Sequence, residues 1–252
     1  METETRLGRA IIHIHTRVRD GRIAPERCPW LAVERGQDAI VITDHDTVGG
    51  ALRAVEEAEK WGIEVSVVPG DEVTTAQGHV LGLDLRKEIE TMRSLLWTVR
   101  KIHGEGGLVV IPHVGRPLSI SPGAIDRLYQ AGEKVDGIEV FNPYYTLQDI
   151  KRAEALCAKY GATPLPGDDD HFGNFGKLGA RLLFLGKTRQ DLLLGIKNGT
   201  VVIERFTPFP DPVSMGDKIS QAVNGLVAGF PQKLKRAPVL ISTLVDLRRG
   251  GI

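Results

Sequence analysis

Three features of this sequence predict an α/β barrel of parallel βαβ units. Short apolar runs alternate with stretches of helical periodicity about 10–15 residues long, the pattern of strand–helix–strand crossovers. The second run, Ala39-Ile40-Val41-Ile42, is continuously apolar, as a strand covered on both faces should be. Polar residues able to do chemistry collect where such runs end, and in a parallel barrel those ends form one common face. A chain of 252 residues has the length for one large domain of this kind.

Taken in order, Ile11-Ile12-His13-Ile14-His15 opens the chain as a buried strand of β-branched residues. Ala24 to Arg35 reads as a helix, with Pro25 in its first turn and Gly36 at its end. The run from Asp38 to Ile42 is a second strand, followed by a helix from Val48 to Trp61 that Gly62 stops. A third strand, Ile63 to Val68, is expected to break at Pro69-Gly70, and a short partner runs from His79 to Leu83. Ile89 to His103 has helical periodicity, and Leu108 to Ile111 is a strand. The second half repeats the pattern. Helices are predicted over Ser121–Ala131, Leu147–Tyr160 and Asp191–Lys197, and strands over Gly137–Phe141, Thr163–Leu165, Leu182–Leu185 and Thr200–Glu204.

Composition narrows the function. Lys plus Arg and Asp plus Glu number 32 each, so no bulk positive field favours long nucleic acid. Two cysteines, Cys28 and Cys157, are too few for a disulfide framework or a cysteine zinc site, which makes a reducing compartment the expectation. No apolar run approaches a membrane span, and the N-terminus lacks the apolar core of a signal peptide. A cytoplasmic protein is expected.

The histidines carry the functional signal. On a strand, residues two apart share a face, so His13 and His15 can hold one divalent metal; the alternative is one buried and one exposed histidine with no common role. Of the seven histidines, five (His13, His15, His45, His113, His171) lie at or just past the C-terminal end of an apolar run. His79 opens the strand that follows Glu72, while His103 sits in a helix beside Gly104 and reads as a helix-terminal residue. Carboxylates gather at the same ends: Asp20, Asp44, Asp46, Glu72 and Asp169. Six imidazoles with several carboxylates exceed the needs of one tetrahedral ion and suggest two or three metals with a bridging carboxylate. Such a set suits phosphoester hydrolysis. Mixed nitrogen and oxygen ligands leave zinc, manganese and iron open.

The segments His13-Ile14-His15-Thr16, Thr43-Asp44-His45-Asp46-Thr47, Pro69-Gly70-Asp71-Glu72, Ile111-Pro112-His113 and Asp169-Asp170-His171 follow one another as in the PHP (polymerase and histidinol phosphatase) family. The resemblance spans about residues 10 to 205 and includes Gly137 to Asn142 and the Leu178-Gly179-Ala180 step. It implies a distorted (β/α)7 TIM-like barrel with up to three metals and phosphoesterase activity. Carried over by position, His13, His15, Glu72 and Asp169 would hold one metal. Glu72 would bridge to a second, bound also by His113 and His79, and Asp20, His45 and His171 would hold a third. The chain departs from the family pattern at Ile11, Arg19, Val114, Asp168 and Asp170, around the ligands rather than at them.

The implied function is hydrolysis of a phosphomonoester or nucleotide-type phosphoester through a metal-bound hydroxide at a di- or trinuclear site. Arg116, three residues past His113, is the candidate phosphate clamp, because a guanidinium fork matches phosphate oxygens. Asp44 is the second catalytic candidate, orienting an imidazole as Asp46 would. Partners are then a small phosphorylated substrate, no membrane, and a possible homo-oligomer. Two alternatives stand beside this: a nuclease or oligonucleotide phosphatase, and a catalytically silent barrel used for binding or assembly. Residues 1–206 would form the barrel. Residues 207–252 would form a C-terminal extension with some helical amphipathicity over Val213–Lys235 and a basic cluster at Lys233, Lys235 and Arg236.

Overall fold

The apolar run ending in His13 extends back to Leu7 and forms β1 (Leu7–Ile14), whose neighbours on both sides explain why its middle is wholly apolar. A computed structural model describes residues 7–205 other than 178. The expected C-terminal extension lies outside the described residues. After β1 come α1 (Cys28–Glu34), β2 (Ala39–Ile42), α2 (Gly49–Trp61), β3 (Ser66–Thr75), β4 (Gly78–Leu83), α3 (Leu95–Gly104) and β5 (Leu108–Ile111). Then follow α4 (Pro122–Gln130), β6 (Gly137–Phe141), α5 (Leu147–Tyr160), β7 (Thr163–Pro166), β8 (Ala180–Leu185), α6 (Arg189–Asn198) and β9 (Val202–Arg205).

The strands form one sheet in the order β7-β6-β5-β4-β3-β2-β1-β8-β9. It curls into a barrel because the chain beyond β7 returns to β1: Asp168 N–H donates to the Ile12 carbonyl (2.9 Å) and His15 N–H to the Asp170 carbonyl (3.0 Å). The ring of β1 to β7 therefore closes at its upper end. Lower down, β1 pairs instead with β8, which runs antiparallel from Leu7–Leu185 to Ala10–Leu182. A seven-membered barrel with two appended strands results, the distorted form that the sequence implies.

Four expectations need correction. The strand expected to stop at Pro69 runs on through it. Proline has no N–H to donate, and Pro69 stands where β3 leaves its parallel partner β2 and, from Gly70, pairs antiparallel with β4. The sheet is also not wholly parallel. Only Ala76 and Gln77 separate β3 from β4, too short a link for a crossover, so β4 turns back antiparallel. Finally, α3 begins at Leu95 rather than Ile89, capped by the Ser94 hydroxyl, which accepts from Trp97 N–H (3.3 Å). The preceding backbone is tied to the hairpin instead: Met92 N–H donates to Thr74 O (2.7 Å), and Ala76 N–H to Arg93 O (2.9 Å). Likewise, Ala24–Arg35 is split into a 3-10 turn at Pro25–Arg27 and α1, because Pro29 restarts the helix.

Alternation sorts the side chains. Ala10, Ile12, Ala39, Val41, Val68, Leu81, Val110 and Leu165 fill the barrel with Leu192 and Ile196 of α6, which closes its N-terminal end. Opposite faces pack outward, those of β1 and β2 on α1 and α2, those of β5 and β6 on α3 to α5. This apolar plug leaves polar side chains only the other mouth. No helix among the described residues is long and apolar enough to cross a membrane.

His103 lies away from that mouth, in the last turn of α3, with Nε2 2.9 Å from Asp136 Oδ2. The hydrogen bond to Asp136 raises its pKa above 6.5 despite partial burial. Asp136 is pushed up by burial, but His103 and the Val109 N–H outweigh this and hold it below 3.8. The imidazolium contributes stability below its unfolded pKa and loses it as pH rises through the raised value; the carboxylate loses its share as pH falls below 3.8. His103→Ala should therefore destabilise most between about pH 4 and 6.5 and least in mild alkali. Urea unfolding at stepped pH measures this, and a penalty that is flat with pH would contradict it.

Candidate metal centre

Four strand ends, the interior of β3, the start of an antiparallel strand and the loop after β1 build the site. At the end of β1 the register with β2 shifts between Ile11 and Ile14, and His13 takes a left-handed backbone (φ 69°). His13 and His15 are both fully buried, with ring centroids 5.0 Å apart, so neither is the exposed histidine of the alternative reading. Beyond β2, Asp46 N–H donates to the Glu72 carbonyl (3.1 Å) and Glu72 N–H to that of Asp44 (3.2 Å), which sets His45 beside Glu72. Because β4 is antiparallel, its first residues share the mouth with the last residues of the other strands. That is why His79, at a strand's start, belongs with the rest. His113 follows β5, and Asp169 and His171 follow β7 on the segment that closes the barrel.

The six imidazoles meet. Centroid distances run His13–His15 5.0 Å, His15–His45 4.8 Å, His45–His79 4.8 Å, His79–His113 5.6 Å and His113–His13 5.8 Å, a closed circuit. His171 stacks on His15 at 4.0 Å. Glu72 stands among them. Its Oε1 is 3.0 Å from His79 Nδ1 and 2.8 Å from His113 Nε2; its Oε2 is 3.0 Å from His13 Nε2, 3.1 Å from His15 Nε2 and 3.5 Å from His45 Nδ1. Asp169 Oδ1 lies 3.6 Å from His13 Nε2 and 3.5 Å from His15 Nε2, and Asp20 Oδ2 lies 3.2 Å from His171 Nε2 and 3.7 Å from His45 Nε2.

Electrostatically the cluster is arranged for cations. Among the described residues no lysine or arginine pairs with Glu72. Burial pushes its carboxyl up, yet the surrounding imidazoles win and hold it well below the ordinary range. Asp169 and Asp20 are depressed for the same reason. Burial disfavours an imidazolium at His15, but hydrogen bonds to Asp169 and Glu72 push it up to about 10; at His45 burial prevails and takes it down to about 3. His15 Nδ1, His45 Nδ1, His79 Nε2 and His113 Nδ1 are buried with no hydrogen-bond partner among the described residues. Buried imidazole nitrogens without partners are costly, and divalent ions would satisfy this donor set.

Three groups have ligand atoms within 4.8 Å of one another: His13, His15 and Asp169; His45, Glu72 and His79; and His15, Asp20, His45 and His171. They overlap the allocation by resemblance without reproducing it, and the first group lacks Glu72. His15 also reaches the third group, and His45 also reaches the second. His113 falls in none of the three, although its Nε2 touches Glu72.

Neither catalytic candidate, Asp44 nor Arg116, has a side-chain hydrogen bond to a ring of this circuit. Asp44 orients no imidazole: its Oδ1 accepts from Thr16 N–H (2.5 Å) and its Oδ2 from the Thr16 hydroxyl (2.7 Å), tying β2 to the turn after His15. Asp46 likewise accepts from Thr74 N–H and hydroxyl (2.7 and 3.0 Å) and holds the hairpin. Arg116 is in the turn beyond β5, its N–H on the His113 carbonyl (3.3 Å), its side chain half-buried and without a hydrogen bond or ion pair among the described residues. Glu139 is the residue that the sequence reading passed over. It was visible as a carboxylate inside an apolar, fully buried strand, GIEVF. Its Oε1 accepts from His13 Nδ1 (2.6 Å) and its Oε2 from His113 N–H (3.0 Å).

Asp44 needs close packing. A Cβ at Gly50 would stand 1.9 Å from Asp44 Oδ2 and 2.6 Å from the Thr16 hydroxyl. Gly50→Ala should therefore cost about 1–3 kcal/mol and loosen the turn after His15. Thermal unfolding measures it; a neutral result would mean that the Asp44–Thr16 contact is not held closely.

No family model matches the chain. It is 31% identical over 148 residues to an uncharacterised protein of Methanocaldococcus jannaschii, covering 54% of this chain and 83% of that one. It is 34% identical over 89 residues to the 5′-3′ exoribonuclease Rnm of Salmonella typhimurium (34% of this chain, 30% of the enzyme). It is 28% identical over 132 residues to a phosphoribosyl 1,2-cyclic phosphate 1,2-diphosphodiesterase of Eggerthella lenta (50% and 44%). The matched segments thus span less than half of these two enzymes. Among solved structures, a two-domain protein of Bacteroides vulgatus containing a predicted PHP-like metal-dependent phosphoesterase superposes with a TM-score of 0.66 at 19% identity, covering 79% of this chain and 65% of that one.

Proposed function

We propose that this chain, similar in motifs and fold to PHP-like metal-dependent phosphoesterases, hydrolyses a phosphoester of a small phosphorylated metabolite or nucleotide. Two or three divalent ions would be held by His13, His15, Asp20, His45, Glu72, His79, His113, Asp169 and His171. The observation that carries the reading is the circuit of buried imidazoles around Glu72, which among the described residues has no lysine or arginine to neutralise it. Ions there would acidify a water at neutral pH and neutralise phosphoryl oxygens. The protein's own part is positional. Glu72 sets the spacing of the imidazoles, and Asp169 spans His13 and His15. Arg116 would bind a phosphate oxygen.

The test is hydrolysis of p-nitrophenyl phosphate and bis-p-nitrophenyl phosphate by protein loaded with manganese, zinc or iron. Absence of turnover with every metal in a folded, loaded protein would overturn the proposal. Fewer than two metals bound per chain would favour the catalytically silent barrel instead. Arg116→Ala should lower kcat/KM by about 10- to 100-fold, the worth of one charge-assisted hydrogen bond. An unchanged value would remove it from the clamp.

A nuclease reading has an observation of its own. The loop that delivers Asp20 carries Arg17, Arg19 and Arg22; Arg19 is anchored on the Asp46 carbonyl (3.1 Å) and Arg22 lies over the Phe172 ring (4.6 Å). This rim, with the similarity to exoribonucleases, suits a substrate with more than one phosphate. Rates on short oligonucleotides set against mononucleotides separate the two readings.

A further inference from the structure

We propose that Glu139 is a positioning residue of this centre: its carboxylate selects the nitrogen that His13 presents to the ions and holds the turn that carries His113. The inference rests on the metal-binding reading above and concerns a residue outside the nine candidate ligands. On β6, Ile138 and Val140 pack outward against the helices, so the alternate residue Glu139 faces the barrel interior, where it is fully buried. No lysine or arginine pairs with it among the described residues. A carboxylate in such a place has to be held by directed donors, and two are present.

The first donor is His13. With the proton on Nδ1, donated to Glu139 Oε1 at 2.6 Å, the ring turns Nε2 inward, 3.0 Å from Glu72 Oε2 and 3.6 Å from Asp169 Oδ1. A metal-binding imidazole that gives its other N–H to a carboxylate is fixed in tautomer and orientation. The second donor is the His113 N–H, 3.0 Å from Oε2. Both donors have left-handed backbones, φ 69° at His13 and 27° at His113, conformations that persist only where surrounding contacts impose them. The same residue reaches further through its main chain. Tyr145 donates its hydroxyl proton to the Glu139 carbonyl (3.3 Å) and accepts from the N–H of Val114, next to His113 (2.5 Å). One position on β6 thus couples candidate ligands from β1 and β5. Gly167 shows how closely the carboxylate is enclosed: a Cβ there would lie 1.9 Å from Glu139 Oε1.

The experiment uses the full chain and the variants Glu139→Ala, Glu139→Gln and Gly167→Ala. Zinc affinity is measured by competition with a chromophoric chelator, and the His13 tautomer by ¹⁵N–¹H correlation of the zinc-loaded protein. Circular dichroism of the metal-free forms reports folding. Glu139→Ala is expected to weaken binding about 10- to 100-fold and to release His13 from the single Nδ1–H form. Glu139→Gln should fall between, because its one carbonyl oxygen can serve His13 or the His113 N–H but not both. Gly167→Ala, which leaves the carboxylate present but displaced, should shift both readouts the same way and keeps the test open if Glu139→Ala does not fold. Wild-type affinity with an unchanged His13 tautomer in the variants would overturn the proposal while leaving the metal reading intact. Wild-type protein that binds no zinc would overturn both.

Discussion

Replacing Glu72 with glutamine should reduce phosphoester turnover by about 10³-fold or more, larger than any other single change expected here. The reason is its place at the centre: one carboxylate lies within 3.5 Å of His13, His15, His45, His79 and His113. Glutamine keeps the shape but gives up the charge and one acceptor oxygen, so it can no longer lie between ions and neutralise both. Bound metal should fall with the rate, which elemental analysis after dialysis measures. The change is preferable to alanine because removing the anion and its bulk together would leave imidazoles facing a void. A Glu72→Gln protein with full metal content and more than a tenth of the wild-type rate would show that Glu72 is not the bridge.

Metal removal should produce the largest change in stability. Ions that bind the folded chain and not the unfolded one stabilise it by about 4 kcal/mol per site at a thousandfold excess over Kd. For a domain of this size each kcal/mol moves Tm by about 2–4 °C, so one filled site predicts a rise of about 8–16 °C. The buried nitrogens without partners at His15, His45, His79 and His113 are the physical source, since loading would relieve their desolvation. Protons compete for the same nitrogens, so the rise should shrink toward pH 5. Differential scanning in chelator and in excess zinc or manganese measures it. A Tm that moves by less than about 2 °C would remove the metals from this account.

Much of the architecture was legible in the sequence because its signals were local. β5, β6 and α5 lie where apolar runs and periodicity place them, α5 ending before Gly161. Most candidate ligands were legible for the same reason, five of the histidines standing at or just past the end of an apolar run. The failures share a different cause. Whether β3 continues past Pro69 depends on β4 arriving to pair with Gly70 onward, and whether residues 89–93 wind into a helix depends on Thr74 and Ala76 taking their backbone groups. Asp44 looked catalytic from its neighbours in sequence, yet Thr16, distant along the chain, occupies both its oxygens. Glu139 was overlooked because nothing beside it in β6 resembles a site; its partners come from β1 and β5.

The order of residues along the chain by itself determined the barrel class, the side chains rich in nitrogen and oxygen at its strand ends, and the resemblance to a metal-dependent family. Those depend on periodicity and on short motifs that each segment carries alone. Only the tertiary structure decided that five rings close around one glutamate with a sixth stacked on them, that a strand running backward brings His79 to the same mouth, and that a buried carboxylate on β6 holds His13 and His113. Each of these depends on contacts between segments remote in the chain, whose distances are set by how the barrel closes.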